Sequence, residues 1–126
     1  MRFLNSVIYF ILPITFLITG GRKLYLPKEK IIANGGSWAE NFTEPFIKLI
    51  GLIEVICAIG IGLDRYVWIP PIISFFLLLI IMVLMLGASF IHYRRNEYPL
   101  LSGTLVLFAM AFYIWFNYYN FMRSFL

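Results

Sequence analysis

Three ionisable side chains stand out in a chain that is otherwise apolar: Lys23, Glu54 and His92. Glu54 lies inside "FIKLIGLIEVICAIGIGL" (46–63), a run apolar enough to cross a bilayer. An ionisable group at the centre of a membrane helix costs about 2.5–3.5 kcal/mol on insertion scales, so it normally faces the protein interior beside a partner. At 100° per residue, Gly51 and Ala58 fall within about 60° of Glu54, whereas Lys48 falls about 120° away. The carboxylate thus shares a face with small residues that let helices approach closely. Lys48 is expected to snorkel toward the interface and not to pair with it.

Lys23 shares a helix face with Phe16, Thr19 and Gly20, and His92 shares one with Met85, Ala88 and Ser89. Glu54 sits about nine residues, or roughly 13 Å, into its helix, a gap that long side chains narrow. A cation, a carboxylate and an imidazole can then meet in one half of the membrane. Such a site suits ligand binding or proton relay: Glu54 as acceptor or proton carrier, Lys23 fixing its charge, and His92 relaying at the surface. Gly20, Gly51, Ala58, Met85, Ala88 and Ser89 are expected to line it. The structural alternative is a snorkelling Lys23, a solvated His92 and a Glu54 that glues two helices by a hydrogen bond. Asn5, Ser6, Tyr113 and Asn117 offer a second polar contact toward the termini, the kind that usually holds helices together.

Other chemistries lack their residues. Cys57 is the single cysteine, which excludes an internal disulfide, a CxxC relay or a multi-cysteine metal site, and reads as a small packing residue. One histidine cannot supply bis-histidine haem ligation. "GIG" (60–62) lacks the strand and third glycine of a dinucleotide fingerprint. No metal cluster or hydrolytic triad is visible, so a stand-alone enzyme is not expected and no intrinsic cofactor is assigned.

The elements that must position these residues follow from composition. Of 126 residues, 62% are hydrophobic and 13% charged, against about 25% charged in soluble domains. The bilayer is the natural solvent, and the basic residues lie between apolar runs and form no patch for nucleic acid. Four runs each approach the roughly 20 residues a helical span requires: about 3–23, 46–63, 69–92 and 99–119. The first exceeds a signal-peptide core in length and is read as a helix. Pro13 could kink it. The longest link, "LYLPKEKIIANGGSWAENFTEP", carries Pro27, Gly35 and Gly36 as breakers, Thr43 as an N-cap, and Tyr25 and Trp38 as interfacial anchors. The other links are short, which predicts an all-α, transmembrane four-helix bundle of up-down antiparallel topology in one domain, 1–126.

With four spans the termini share a side, with Arg2, Arg65 and Arg123; the other side holds Arg22, Lys23, Lys28, Lys30, Arg94 and Arg95. Six against three favours the latter as cytoplasmic, with the termini outside. A composition rich in Ile, Phe and Asn fits a bacterial inner (cytoplasmic) membrane.

These residues also carry a likeness. "GGRK" (20–23), "KLIGLIE" (48–54) and "MLGASFIH" (85–92), in this order over four helices, resemble the DoxX-like family of small membrane proteins. The resemblance implies a link to redox complexes, since its founding relative looks like a small subunit of a thiosulfate:quinone oxidoreductase, and an animal branch resembles receptor-assembly chaperones. Residues and resemblance together favour a quinone-like or other lipophilic ligand, or a membrane partner, bound through Lys23, Glu54 and His92. Quinone or lipid is the expected ligand; the bilayer, a membrane protein or a second copy are the expected partners. The alternatives are an assembly factor and, last, a small proton-coupled transporter.

Overall fold

The protein is described from a computed structural model over residues 2–34, 36–64 and 66–124. Gly35 of the long link and Arg65 of the charge balance lie outside the described residues, as do the side chains of Arg2 and Asn5. Helices α1 (Arg2–Tyr25), α2 (Lys28–Ala33), α3 (Glu44–Leu63), α4 (Pro71–Arg94) and α5 (Tyr98–Arg123) account for most of the chain, with a 3-10 turn at Ser37–Asn41 and no strand among the described residues. Four stretches are long and apolar enough to cross a membrane: Ser6–Tyr25, Glu44–Leu63, Pro71–Arg94 and Tyr98–Arg123. Their outward faces carry exposed Phe10, Ile18, Ile56, Val83 and Phe90, a surface that suits lipid and not water. The chain is an integral membrane protein of all-α class.

Proline opens α3, α4 and α5 within their first two positions, where its missing N–H leaves no intrahelical bond unmade. Thr43 stands at the N-cap of α3 as expected, but its side chain makes no capping bond. Each span runs past its sequence limits at one end or both, α3 starting at Glu44 and α4 reaching Arg94. Helix α1 continues through Tyr25, where Lys48 supports its last carbonyls. Helix α5 continues to Arg123, its aromatics stacking four apart: Phe112 on Phe116 and Trp115 on Tyr119.

Packing divides the helices into two intimate pairs, α1 with α3 and α4 with α5; α3 meets α4, and α1 meets α5, more sparsely. Gly20 lies against Gly51 and Pro13 beside Gly62, so α1 and α3 run in opposite directions. The main core gathers Leu12 and Phe16 of α1, Cys57 and Ile61 of α3, Leu78 and Ile81 of α4, and Ala111 and Ile114 of α5. Cys57 is buried packing, as its isolation suggested. A second, smaller core of Ile31, Ala39 and Ile47 holds the link between α1 and α3 against the helix ends. That link is therefore an ordered strap; its turn at Lys28–Ala33 exists because burying Ile31 outweighs the local breakers.

Candidate functional site

The polar centre begins with two glycines. A Cβ at Gly20 would lie 2.7 Å from the Gly51 carbonyl oxygen, and one at Gly51 would lie 2.7 Å from Lys23 Cβ. Only glycine allows this backbone approach, and it brings Lys23 of α1 onto Glu54 of α3. Lys23 Nζ donates to Glu54 Oε1 at 2.7 Å, and Thr19 Oγ1 donates to Glu54 Oε2 at 2.9 Å. Both carboxylate oxygens are thus satisfied in a side chain only 2% exposed, beside a lysine 17% exposed. Burial at this depth is tolerable because each oxygen has a donor.

Lys48 does not pair with Glu54, in keeping with its position on the helix wheel, but neither does it simply snorkel. Its ammonium donates to the carbonyls of Lys23, Leu24 and Leu26 at 3.3, 3.0 and 3.2 Å. These acceptors would otherwise be unbonded at the end of α1, where a positive charge also meets the negative pole of the helix dipole.

His92 has a carboxylate partner of its own. Helix α4 ends in a Schellman motif: Asn96 adopts a left-handed φ of 58°, its N–H bonds to the Tyr93 carbonyl, and the Glu97 N–H bonds to the His92 carbonyl at 2.9 Å. This hairpin of backbone turns Glu97 back onto His92. His92 Nδ1 donates to Glu97 Oε1 at 3.0 Å, as an ionised carboxylate requires, and Ser37 Oγ donates to Oε2 at 2.9 Å. Arg95 Nε stands 3.4 Å from Oε1. Burial pushes the Glu97 carboxyl up, but the hydrogen bonds from His92 and Ser37 and the charges of His92 and Arg95 together hold it below the usual range.

Ser37 belongs to the strap, and its neighbour Trp38 stacks over Lys23 with the ammonium 5.5 Å from the ring centroid. The strap therefore grips both polar groups at once. Beneath it lies a cavity of about 580 Å³, within the range of small-molecule sites. Lys23, Glu54 and His92 all line it, with Thr19, Arg22 and Asn34; Phe16, Ile50, Met85 and Leu107 supply apolar wall.

The expected lining residues divide. Met85 and Ala88 are in the wall. Gly20 and Gly51 instead form the helix contact that sets the ion pair, Ala58 is in the main core, and Ser89 donates to Thr104 Oγ1 at 2.8 Å, tying α4 to α5. Trp38, read as an interfacial anchor, covers Lys23; Tyr25, read the same way, is exposed. At the opposite end a polar contact joins Tyr118 to Asp64; of the residues expected to meet there, the Asn5 side chain lies outside the described residues. Thr19, Ser37, Trp38 and Glu97 were missed as site residues. Thr19 had a signal, one turn before Lys23 on the same face, and so did Glu97, just past an asparagine suited to a left-handed cap. Ser37 had none. No group of three or more metal-ligating side chains occurs among the described residues.

Comparison with known proteins agrees with the fold and the motif order. The model of the DoxX-like family matches residues 7–114. Neither the curated proteins nor the solved structures give a significant match. Since the match takes in all four spans up to the middle of α5, this chain belongs to the DoxX-like family.

Proposed function

We propose that the protein binds a lipophilic, quinone-like molecule in the cavity beneath the strap. The observation that carries this reading is the convergence of Lys23, Glu54 and His92 on one largely apolar space of about 580 Å³. Apolar walls with a few placed polar groups are what a small lipophile with a polar head needs. Glu54 accepts or carries a proton, Lys23 holds its charge, and His92, its Nδ1 committed to Glu97, lines the cavity as the relay. In a redox complex the chain would hold the quinone while a partner subunit handled the electrons. The end bearing the strap faces the cytoplasm of a bacterial inner membrane, because the basic residues concentrate there.

A second reading, that of an accessory assembly factor, draws on one observation: α5 buries only Ala111 and Ile114 among its described residues and turns a stacked row of Phe112, Phe116 and Tyr119 outward. Native mass spectrometry in mild detergent, with solvent extraction of whatever is retained, decides between them. A stoichiometric lipophile on the parent protein, absent from a Glu54→Gln variant of unchanged helicity, supports the ligand site. Retention by Glu54→Gln overturns it. An empty parent protein that co-purifies with a stoichiometric membrane protein supports the accessory role.

A further inference from the structure

We infer that the cavity is reached sideways from the bilayer, through a cleft between α3 and α4, and that its occupant carries a single hydrocarbon tail lying in that cleft. This rests on the ligand reading above and specifies the class of molecule. The strap covers the polar end of the cavity with Ile31, Asn34, Gly36 and Trp38. Its flank is different. Val83 and Phe46 belong to the cavity wall, yet they are 65% and 43% exposed on the lipid-facing surface.

Val83 and Leu84 also line a second depression of about 250 Å³, whose remaining walls are Ile53 of α3 and Phe76, Leu79 and Ile80 of α4. The two spaces share those residues, so the groove adjoins the cavity at its lipid-exposed flank. Within the groove's span of α4, Leu77 packs directly on the backbone at Gly60 and pins the two helices together. On the cavity side of that contact the groove lies between Ile53 of α3 and Leu79, Ile80, Val83 and Leu84 of α4, and this is the cleft. From Phe76 to Leu84 it follows about 12 Å of α4.

The chemistry of the cleft limits what it can hold. All of its lining side chains are apolar, so it offers a head group nothing. Lipid tails are as apolar as its walls, so a tail gains no hydrophobic free energy by leaving the bilayer for it. What the cleft supplies is room: the head occupies the polar cavity while the chain passes out without displacing a helix. A compact polar head on one long chain fits; a ligand polar at both ends does not.

Ile80→Trp and Phe76→Trp narrow the cleft from its lipid-exposed side, where both residues are already exposed and the helices need not repack. Helicity and thermal midpoint confirm that each variant is folded. Binding is measured in detergent for a long-chain isoprenoid quinone and for the same ring bearing only a methyl group, on the parent, both tryptophan variants and Glu54→Gln. The expected result is loss of at least about tenfold in affinity for the long-chain quinone in the tryptophan variants, the scale of overpacking, with the methyl analogue retained. Equal binding of both ligands to the tryptophan variants and the parent overturns the cleft; if Glu54→Gln then still loses both, the ligand reading stands alone. Parallel loss of both ligands in the tryptophan variants also overturns it, since the bulk has then filled the cavity and not the tail's path. A parent that binds neither ring overturns both proposals.

Discussion

Two carboxylates in this molecule have nearly the same partners and very different circumstances. Glu54 has an ammonium and a threonine hydroxyl; Glu97 has an imidazole and a serine hydroxyl. The first set is held by α1 and α3, packed so tightly that two glycines meet. The second is held by a helix cap and a strap, at the edge of the spans. Groups within the membrane have no water to fall back on, whereas groups at its edge do. The inner set should therefore be costly to break; the outer set should be cheaper to break.

The largest effect is expected at the inner set. Lys23→Met leaves a buried carboxylate without its cation and should cost about 3–5 kcal/mol, read as a fall in thermal midpoint in detergent. Combining it with Glu54→Leu removes the orphan and should restore most of the loss, since a buried pair exchanged for apolar groups is often neutral. A Lys23→Met protein as stable as its parent would mean that the pair contributes nothing to the packing of α1 on α3.

This difference also explains what could be read in advance. Lys23, Glu54 and their glycines lie on regular helices, where a period of 3.6 residues fixes which side chains share a face. The spans, the inward direction of Glu54 and its nearness to Lys23 follow from that period. The contact between Ser37 and Glu97 spans 60 residues of chain and two non-helical segments, and no period describes it. The partner that His92 finds in Glu97 is hidden for the same reason. The helix face of His92 points at the cavity, but Asn96 at φ 58° reverses the chain and delivers a nearer acid. The ordered strap escaped notice because Ile31 and Ile47, whose burial holds it, are 16 residues apart and look unremarkable among many isoleucines.

At the outer set, Glu97→Gln should cost about 1–3 kcal/mol, because His92 and Ser37 lose a charged acceptor. The pH dependence has a definite sign. Glu97 titrates below its usual 4.5 in the folded protein, so the unfolded chain binds the proton more readily. Its contribution is complete above about pH 4.5 and is lost as pH falls through the folded value. Arg95 and, when protonated, His92 are the cationic groups that face it. Thermal midpoints recorded downward from pH 6 should converge for the parent and Glu97→Gln; a constant gap would mean that the carboxylate's charge has no part in holding the strap.

The cap that delivers Glu97 can be broken without touching a charge. Asn96→Val places a β-branched residue at φ 58° and should cost about 1–2 kcal/mol, while Asn96→Gly, which relaxes the same position, should leave stability within a few tenths of a kcal/mol. Because the cap orients Glu97, the valine variant should also flatten the acid dependence described above. Stability lost with that dependence intact would show that Glu97 finds His92 without the Schellman turn.

The smallest effect belongs to Ser37. Its hydroxyl gives Glu97 Oε2 one neutral donor at 2.9 Å, and removing it leaves His92 on Oε1 and Trp38 on Lys23. Ser37→Ala should therefore cost about 0.5–1.5 kcal/mol, and the cost should be local. The strap's Ile31 and Ala39 close on Ile47 of α3 in a core separate from the main one, so the strap can open while the α1–α3 contact at Gly20 and Gly51 stays shut. Hydrogen exchange is the discriminating measurement. Amides of the strap between Lys28 and Asn41 should exchange faster in Ser37→Ala, while those of α3 around Glu54 keep the parent's protection. Faster exchange at both places would mean that the two carboxylate sites open as one unit, and the contrast between an inner set and an outer set would not hold.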